Sequence, residues 1–184
     1  MNNTTVLIVP GLRDHVPDHW QTLLAAELPR SRTVPPLERD KLNLALRIAA
    51  IEGELAQIPG PVVFVAHSGG VPMIIHWAQK YARKIKGALL ATPADIETPL
   101  PPGYPTMDEL RAFGWLPLPH AKLPFPSIVA ASGNDHLAAM ECTAQLARDW
   151  GSKFVEIGNV GHLNPASGYG AWPRALEFIA ELDR

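Results

Sequence analysis

Val62-Val63-Phe64-Val65-Ala66-His67-Ser68-Gly69-Gly70 is an apolar run that breaks abruptly into small residues around one serine, and Val71-Pro72-Met73-Ile74-Ile75-His76-Trp77-Ala78 follows it with a helical pattern. A strand that turns sharply into a helix at a serine reads as a nucleophile elbow. The turn lifts the hydroxyl clear of the sheet. It requires small residues two positions before and after the serine, where strand and helix backbones approach, and Ala66 and Gly70 stand there. Ala66 replaces the glycine usual at the first position, which predicts a slightly more crowded elbow. Taken alone, the segment is also compatible with an ordinary strand-turn-helix junction rich in Gly and Ser. The helix would point its first N–H groups and the positive end of its dipole at the serine, where acyl transfer develops negative charge.

On either side of this segment, β-rich runs alternate with amphipathic ones from end to end. Strands are expected at Thr5 to Val9, Arg32 to Val34, Pro61 to Ala66, Gly87 to Ala91, Ser127 to Ala131 and Lys153 to Ile157. Several are apolar on successive residues, as strands buried on both faces are. Helices are expected at Asp18 to Leu28, Asn43 to Ile58, Val71 to Arg83, Leu137 to Trp150 and Trp172 to Leu182, with Asn43 as an N-cap and Pro173 in a first turn. The alternation predicts an α/β fold, a doubly wound, mainly parallel sheet with helices on both faces.

At 184 residues the chain is expected to form a single domain, 1–184. Sixteen Lys and Arg against eighteen Asp and Glu, with no long run of either sign, favour neither nucleic acid nor an anionic membrane as partner. Met1 to Thr5 carries no basic region and no segment has the apolar length of a bilayer span, so the expectation is a cytoplasmic protein. Cys142, the only cysteine, is read as packing. Nine of the nineteen prolines fall between Pro93 and Pro126, marking a long irregular excursion.

In a doubly wound sheet, chemistry lies beyond the carboxyl ends of the strands, where strand order reverses. The first strand ends in Pro10-Gly11-Leu12 and the third in His67-Ser68-Gly69. If these strands are neighbours at the reversal, the N–H groups of Leu12 and Gly69 meet over Ser68 as an oxyanion hole. Pro10-Gly11 on its own is equally a plain turn.

A serine hydroxyl needs a hydrogen-bonded base and a carboxylate to orient and stabilise that base. Of seven histidines, His162 lies just beyond the last strand and is the candidate base. His67, adjacent to the serine, is expected to help set the elbow. Asp135, in Ser132-Gly133-Asn134-Asp135-His136, follows the preceding strand and is the candidate acid; Asp14, Asp95 and Asp149 are weaker ones. Alone, Asp135 is also a plausible helix N-cap and His162 a polar loop residue. Together Ser68, Asp135 and His162 keep the chain order of an α/β-hydrolase triad.

These blocks, with Val9-Pro10-Gly11 before His19-Trp20-Gln21, Leu123-Pro124-Phe125-Pro126-Ser127, and Gly161-His162-Leu163-Asn164 before Ser167-Gly168-Tyr169-Gly170-Ala171-Trp172-Pro173, resemble the small serine hydrolases related to retinoblastoma-binding protein 9. The resemblance covers essentially the whole chain. It implies a minimal α/β-hydrolase fold of about six strands in the order 2-1-3-4-5-6, a triad of Ser68, His162 and Asp135, and carboxylesterase-like activity on a small-molecule acyl substrate without cofactor or metal. His136 stands where relatives often carry another residue, and it either lines the site or starts a helix. The excursion, carrying Tyr104, Phe113, Trp115 and Phe125, is expected to cover the site partly, with a small or shallow acyl pocket bordered by His19, Trp20 and Trp115; Trp20 also reads as a core anchor at helical spacing with Leu23 and Leu24, and the excursion aromatics as a small core of their own. Two other readings stay open: a thioesterase or acyltransferase on the same triad, and an idle protein-interaction module, although nothing in the sequence indicates a protein partner.

Overall fold

Residues 3–13 and 16–184 are described by a computed structural model of the chain. Met1, Asn2, Asp14 and His15 lie outside the described residues, and with them the acid candidate Asp14. Six strands, β1 (Thr5–Val9), β2 (Ser31–Thr33), β3 (Val62–His67), β4 (Gly87–Ala91), β5 (Ser127–Ala131) and β6 (Lys153–Glu156), pair in one sheet. Their order is β2-β1-β3-β4-β5-β6, and every pairing is parallel. The helices are α1 (Trp20–Glu27), α2 (Leu44–Ala56), α3 (Gly70–Lys80), α4 (Met107–Ala112), α5 (Met140–Trp150) and α6 (Arg174–Leu182).

Strand side chains alternate between two cores, because successive residues of a strand face opposite ways. Leu7, Val9, Phe64 and Ala66 join one core with Ile48 and Leu55 of α2, Ile74 and Trp77 of α3, and Trp150 of α5. Val6, Ile8, Val63 and Val65 join the other with Trp20 and Leu24 of α1 and Phe178 and Ile179 of α6. Both faces are therefore covered, which is why these strands read as unbroken apolar runs. Val9 pairs with Ala66, so β1 and β3 end level where the strand order reverses, and the loops after them lie side by side.

Several boundaries differ from the sequence expectation for local reasons. Helix α1 starts at Trp20 rather than Asp18 because the His19 ring accepts the Gln21 N–H and caps it. Helix α5 starts at Met140, three residues beyond the expected Leu137. There the Asp135 carboxylate takes the Leu137 N–H, the Leu137 carbonyl takes the Asp95 N–H, and Ala139 is extended. Helix α3 ends at Lys80, three residues before the expected Arg83, and α6 begins at Arg174, two residues after the expected Trp172. The second strand pairs over Ser31–Thr33, one residue earlier than expected. Helix α4 was not expected: in the proline-rich excursion, Thr106 accepts the Glu109 N–H while Glu109 accepts the Thr106 N–H, a capping box.

Candidate active site

Ser68 follows β3 directly and adopts φ +54, a left-handed conformation uncommon outside glycine. Its N–H donates to the Ala91 carbonyl of β4 and its carbonyl accepts from Val71 in the first turn of α3, so sheet and helix together hold the turn. Gly70 is required there: a Cβ would lie 2.3 Å from the Val9 carbonyl oxygen and 2.8 Å from that of Pro10. Ala66, on the strand side of the turn, is fully buried, and its methyl belongs to the core shared with α2 and α3.

The His162 Nε2 lies 2.8 Å from the Ser68 Oγ, and its Nδ1 lies 3.0 and 2.9 Å from the two carboxylate oxygens of Asp135. Nδ1–H donates to the carboxylate, which leaves Nε2 as the acceptor for the serine O–H. Both the imidazole and the carboxylate are almost wholly buried.

The loop after β6 that carries His162 is fastened on all sides. Val160 and Gly161 donate their N–H groups to Ser132 Oγ and Asn134 Oδ1 of the loop after β5. His162 N–H donates to Ser167 Oγ, which itself donates to Asn164. The His162 carbonyl accepts from His67 Nε2 at 2.9 Å. His67, the residue before Ser68, therefore ties the elbow to the His162 loop. Ser132, Asn134 and Ser167 lay inside the quoted sequence blocks, but only their side-chain hydroxyl or amide chemistry hinted at this work.

The Leu12 and Gly69 backbones converge beside Ser68. A Cβ on Gly69 would sit 3.2 Å from Leu12 Cγ and 3.5 Å from Leu12 N, and one on Gly11 would sit 3.2 Å from Ser68 Cβ. Among the described residues, neither the Leu12 nor the Gly69 N–H donates to another backbone carbonyl.

A cavity of about 170 Å³ opens above Ser68. The excursion supplies Ala94, Ile96, Leu100, Tyr104, Leu110 and Trp115 to its lining. Of the three expected bordering residues, His19 and Trp115 line it; Trp20 does not. Helix geometry sends the Trp20 ring down into the core with α6, 1% exposed and edge-on to Trp172 at 4.9 Å. Phe125 packs under the sheet near Phe64, and Phe113 stands 42% exposed. His136 neither lines the cavity nor starts a helix: it sits in a turn with its side chain half exposed, its ring 5.8 Å from that of His162. Arg13 lies over the Tyr104 ring at the mouth, 5.7 Å from its centre. Among the described residues, no group of three or more His, Cys, Asp or Glu side chains is arranged to hold a metal ion, and no helix is long and apolar enough to cross a membrane.

Burial, and then proximity to His162, lowers the His19 pKa from 6.5 to about 4, and the same causes hold His67 well below the usual histidine range. Burial also lowers that of His76. Between pH 6.5 and about 4 the unfolded chain binds a proton that the folded-state His19 ring refuses, and the lowered His67 and His76 act in the same sense. Stability is therefore fully present above that window and lost as pH falls through it. His19 alone contributes on the order of 3 kcal/mol by pH 4, at 1.36 kcal/mol per pKa unit. His120, raised by Asp149 and Glu97, acts in the opposite sense, its contribution being lost as pH rises. Urea unfolding at pH 7 and pH 4.5 should show a loss of about 2 kcal/mol or more at the lower pH. Equal stability at both would contradict these buried neutral rings.

The sequence model of the serine hydrolase family matches residues 6–181. The chain belongs to the serine hydrolase family. Among solved structures of hydrolases, a YdeN-like protein from Pectobacterium atrosepticum is 28% identical, with 99% of this chain and 91% of that one covered and a TM-score of 0.83. The ydeN gene product of Bacillus subtilis is 17% identical over 97% of this chain and 98% of that one, with a TM-score of 0.76. A hydrolase of the α/β superfamily from Xanthomonas campestris is 18% identical over 98% and 97%, with a TM-score of 0.62. The last two likenesses are of fold. No curated protein matches the chain at a significant level.

Proposed function

We propose that this serine hydrolase is a carboxylic ester hydrolase acting on small acyl esters, with the chain working as one domain. One observation carries the reading: Ser68 Oγ, His162 and Asp135 form a continuous hydrogen-bonded line at the floor of a mainly apolar cavity. Ser68 attacks the ester carbonyl while His162 Nε2 takes its proton, and Asp135 stabilises the imidazolium. The Leu12 N–H, in the loop after β1, and the Gly69 N–H, at the start of α3, receive the oxyanion. His162 returns the proton to the leaving oxygen, the alcohol departs, and water attacking by the reverse route releases the acid.

The cavity, about 170 Å³, is smaller than the ~300–1,000 Å³ of sites for drug-sized ligands, which favours short acyl chains. The excursion serves as a partial cover. The narrower likeness to retinoblastoma-binding protein 9 relatives rests on the sequence blocks alone. Thioester cleavage or acyl transfer on the same three residues is the second reading, favoured by nothing beyond shared chemistry.

Kinetics on p-nitrophenyl acetate, butyrate, octanoate and palmitate test the proposal. The expected result is measurable kcat/KM with a maximum at the acetate or butyrate. Turnover of none of them, by a folded protein, would refute the esterase reading, and a rate that rises on adding an alcohol would favour the transferase.

A further inference from the structure

Polar groups are unevenly distributed around the cavity. One wall, formed by Ala94, Ile96, Leu110, Trp115 and Leu137, is continuous with the core beneath it. The lining also includes the polar side chains of His19, the N-cap of α1, of Gln21 in its first turn, and of Asn164 in the loop that carries His162.

His19 is fixed and has an unused donor. Its Nδ1 accepts the Gln21 N–H at 3.2 Å, and a ring nitrogen that accepts carries no proton, so the neutral ring holds its proton on Nε2. The ring stands edge-on to His67 at 4.6 Å and is tilted against Trp20 at 5.8 Å, so it is packed on two sides. His19 lines the cavity, and its Nε2 is not among the sealed side-chain nitrogens and oxygens that lack a partner. The N–H therefore keeps accessible surface without an acceptor among the described residues. Nothing in the proposed reaction uses it.

The side of the cavity matters. His162 returns its proton to the leaving atom, so the leaving group must lie against the His162 ring. The His67 ring, which His19 touches, is 4.9 Å from that of His162. We propose that His19 Nε2–H donates a hydrogen bond to an oxygen carried by the leaving group. The substrates are then esters that join an apolar acyl chain, held by the excursion, to a small alcohol bearing an ether, carbonyl or hydroxyl oxygen. This inference rests on the hydrolase reading above and adds the leaving-group specificity.

The test compares butyrate esters of 2-methoxyethanol and of n-butanol, which have the same chain length and differ by one ether oxygen. In H19N, asparagine still caps α1 through its side-chain oxygen but is too short to place a donor where Nε2 stood. The ratio of kcat/KM for the methoxyethyl ester over the butyl ester should fall about tenfold from wild type to H19N. Dividing the two ratios cancels the intrinsic difference between the alcohols. An unchanged ratio overturns the proposal, whether H19N slows both esters equally or neither. Wild-type protein that cleaves neither ester sinks the esterase reading, and this proposal with it. A second measurement does not depend on H19N folding. Imidazole ¹⁵N spectra of the S68A protein should show His19 protonated at Nε2, with that signal shifting when the uncleaved methoxyethyl ester is added. A proton on Nδ1, or no shift at saturating ester, overturns the proposal independently.

Discussion

Ser68→Ala is expected to lower kcat for a short-chain ester by about a hundred-thousand-fold while leaving the protein folded. The serine oxygen is the atom that forms the bond to the acyl carbon, and among the described residues no other side chain is hydrogen-bonded to His162 Nε2. What remains is catalysis by the polarised carbonyl and an adventitious water, worth about a thousandfold to ten-thousandfold over solution. The loss should fall on kcat more than on KM, since the apolar wall that would hold the acyl chain is untouched. Steady-state kinetics with circular dichroism and a thermal melt separate chemistry from folding. Activity within tenfold of wild type would remove Ser68 from the mechanism.

Asp135→Asn is the second large effect, and its reason is a proton's position. The Asp135 carboxylate can only accept, so His162 must keep a proton on Nδ1 and present a bare Nε2 to the serine. An amide in its place can donate to Nδ1, which moves the imidazole proton to Nε2 and turns the base into a donor. It also leaves the imidazolium of the transition state without its counter-charge. About a ten-thousandfold loss in kcat is expected, with shape preserved, because the asparagine oxygen can still take the Leu137 N–H. A loss below tenfold would mean that Asp135 serves only as the turn-former that this backbone contact describes.

How far the sequence revealed this arrangement depended on whether a signal was local. Strands β1, β3, β4 and β5 were legible because both of their faces are buried, which makes successive residues apolar. The α2 start was legible because Asn43 caps it. The elbow was legible because a left-handed serine followed by an obligatory glycine leaves a local composition mark. Position after a strand was enough to nominate Asp135 and His162, since a doubly wound sheet delivers such loops to one edge.

What escaped reading was set by individual side-chain contacts, one of them tertiary. The starts of α1 and α5 depend on a ring nitrogen and a carboxylate that each accept a backbone N–H two residues ahead. Trp20 was considered for the cavity border because it neighbours His19, yet one residue along a helix turns a side chain by about 100°, and only His19 faces the cavity. Helix α4 did carry a signal, Thr106 three residues before Glu109, masked by the surrounding prolines. The duty of His67, holding the His162 loop from 95 residues away, had no local mark at all.

Reaction with a fluorophosphonate probe, followed by peptide mass mapping, tests most directly whether Ser68 is a nucleophile activated by His162. One probe per chain on the peptide that contains Ser68, with labelling slowed at least a thousandfold in His162→Ala, is the expected result. A folded wild-type protein that stays unlabelled, or takes the probe at any other residue, would contradict it.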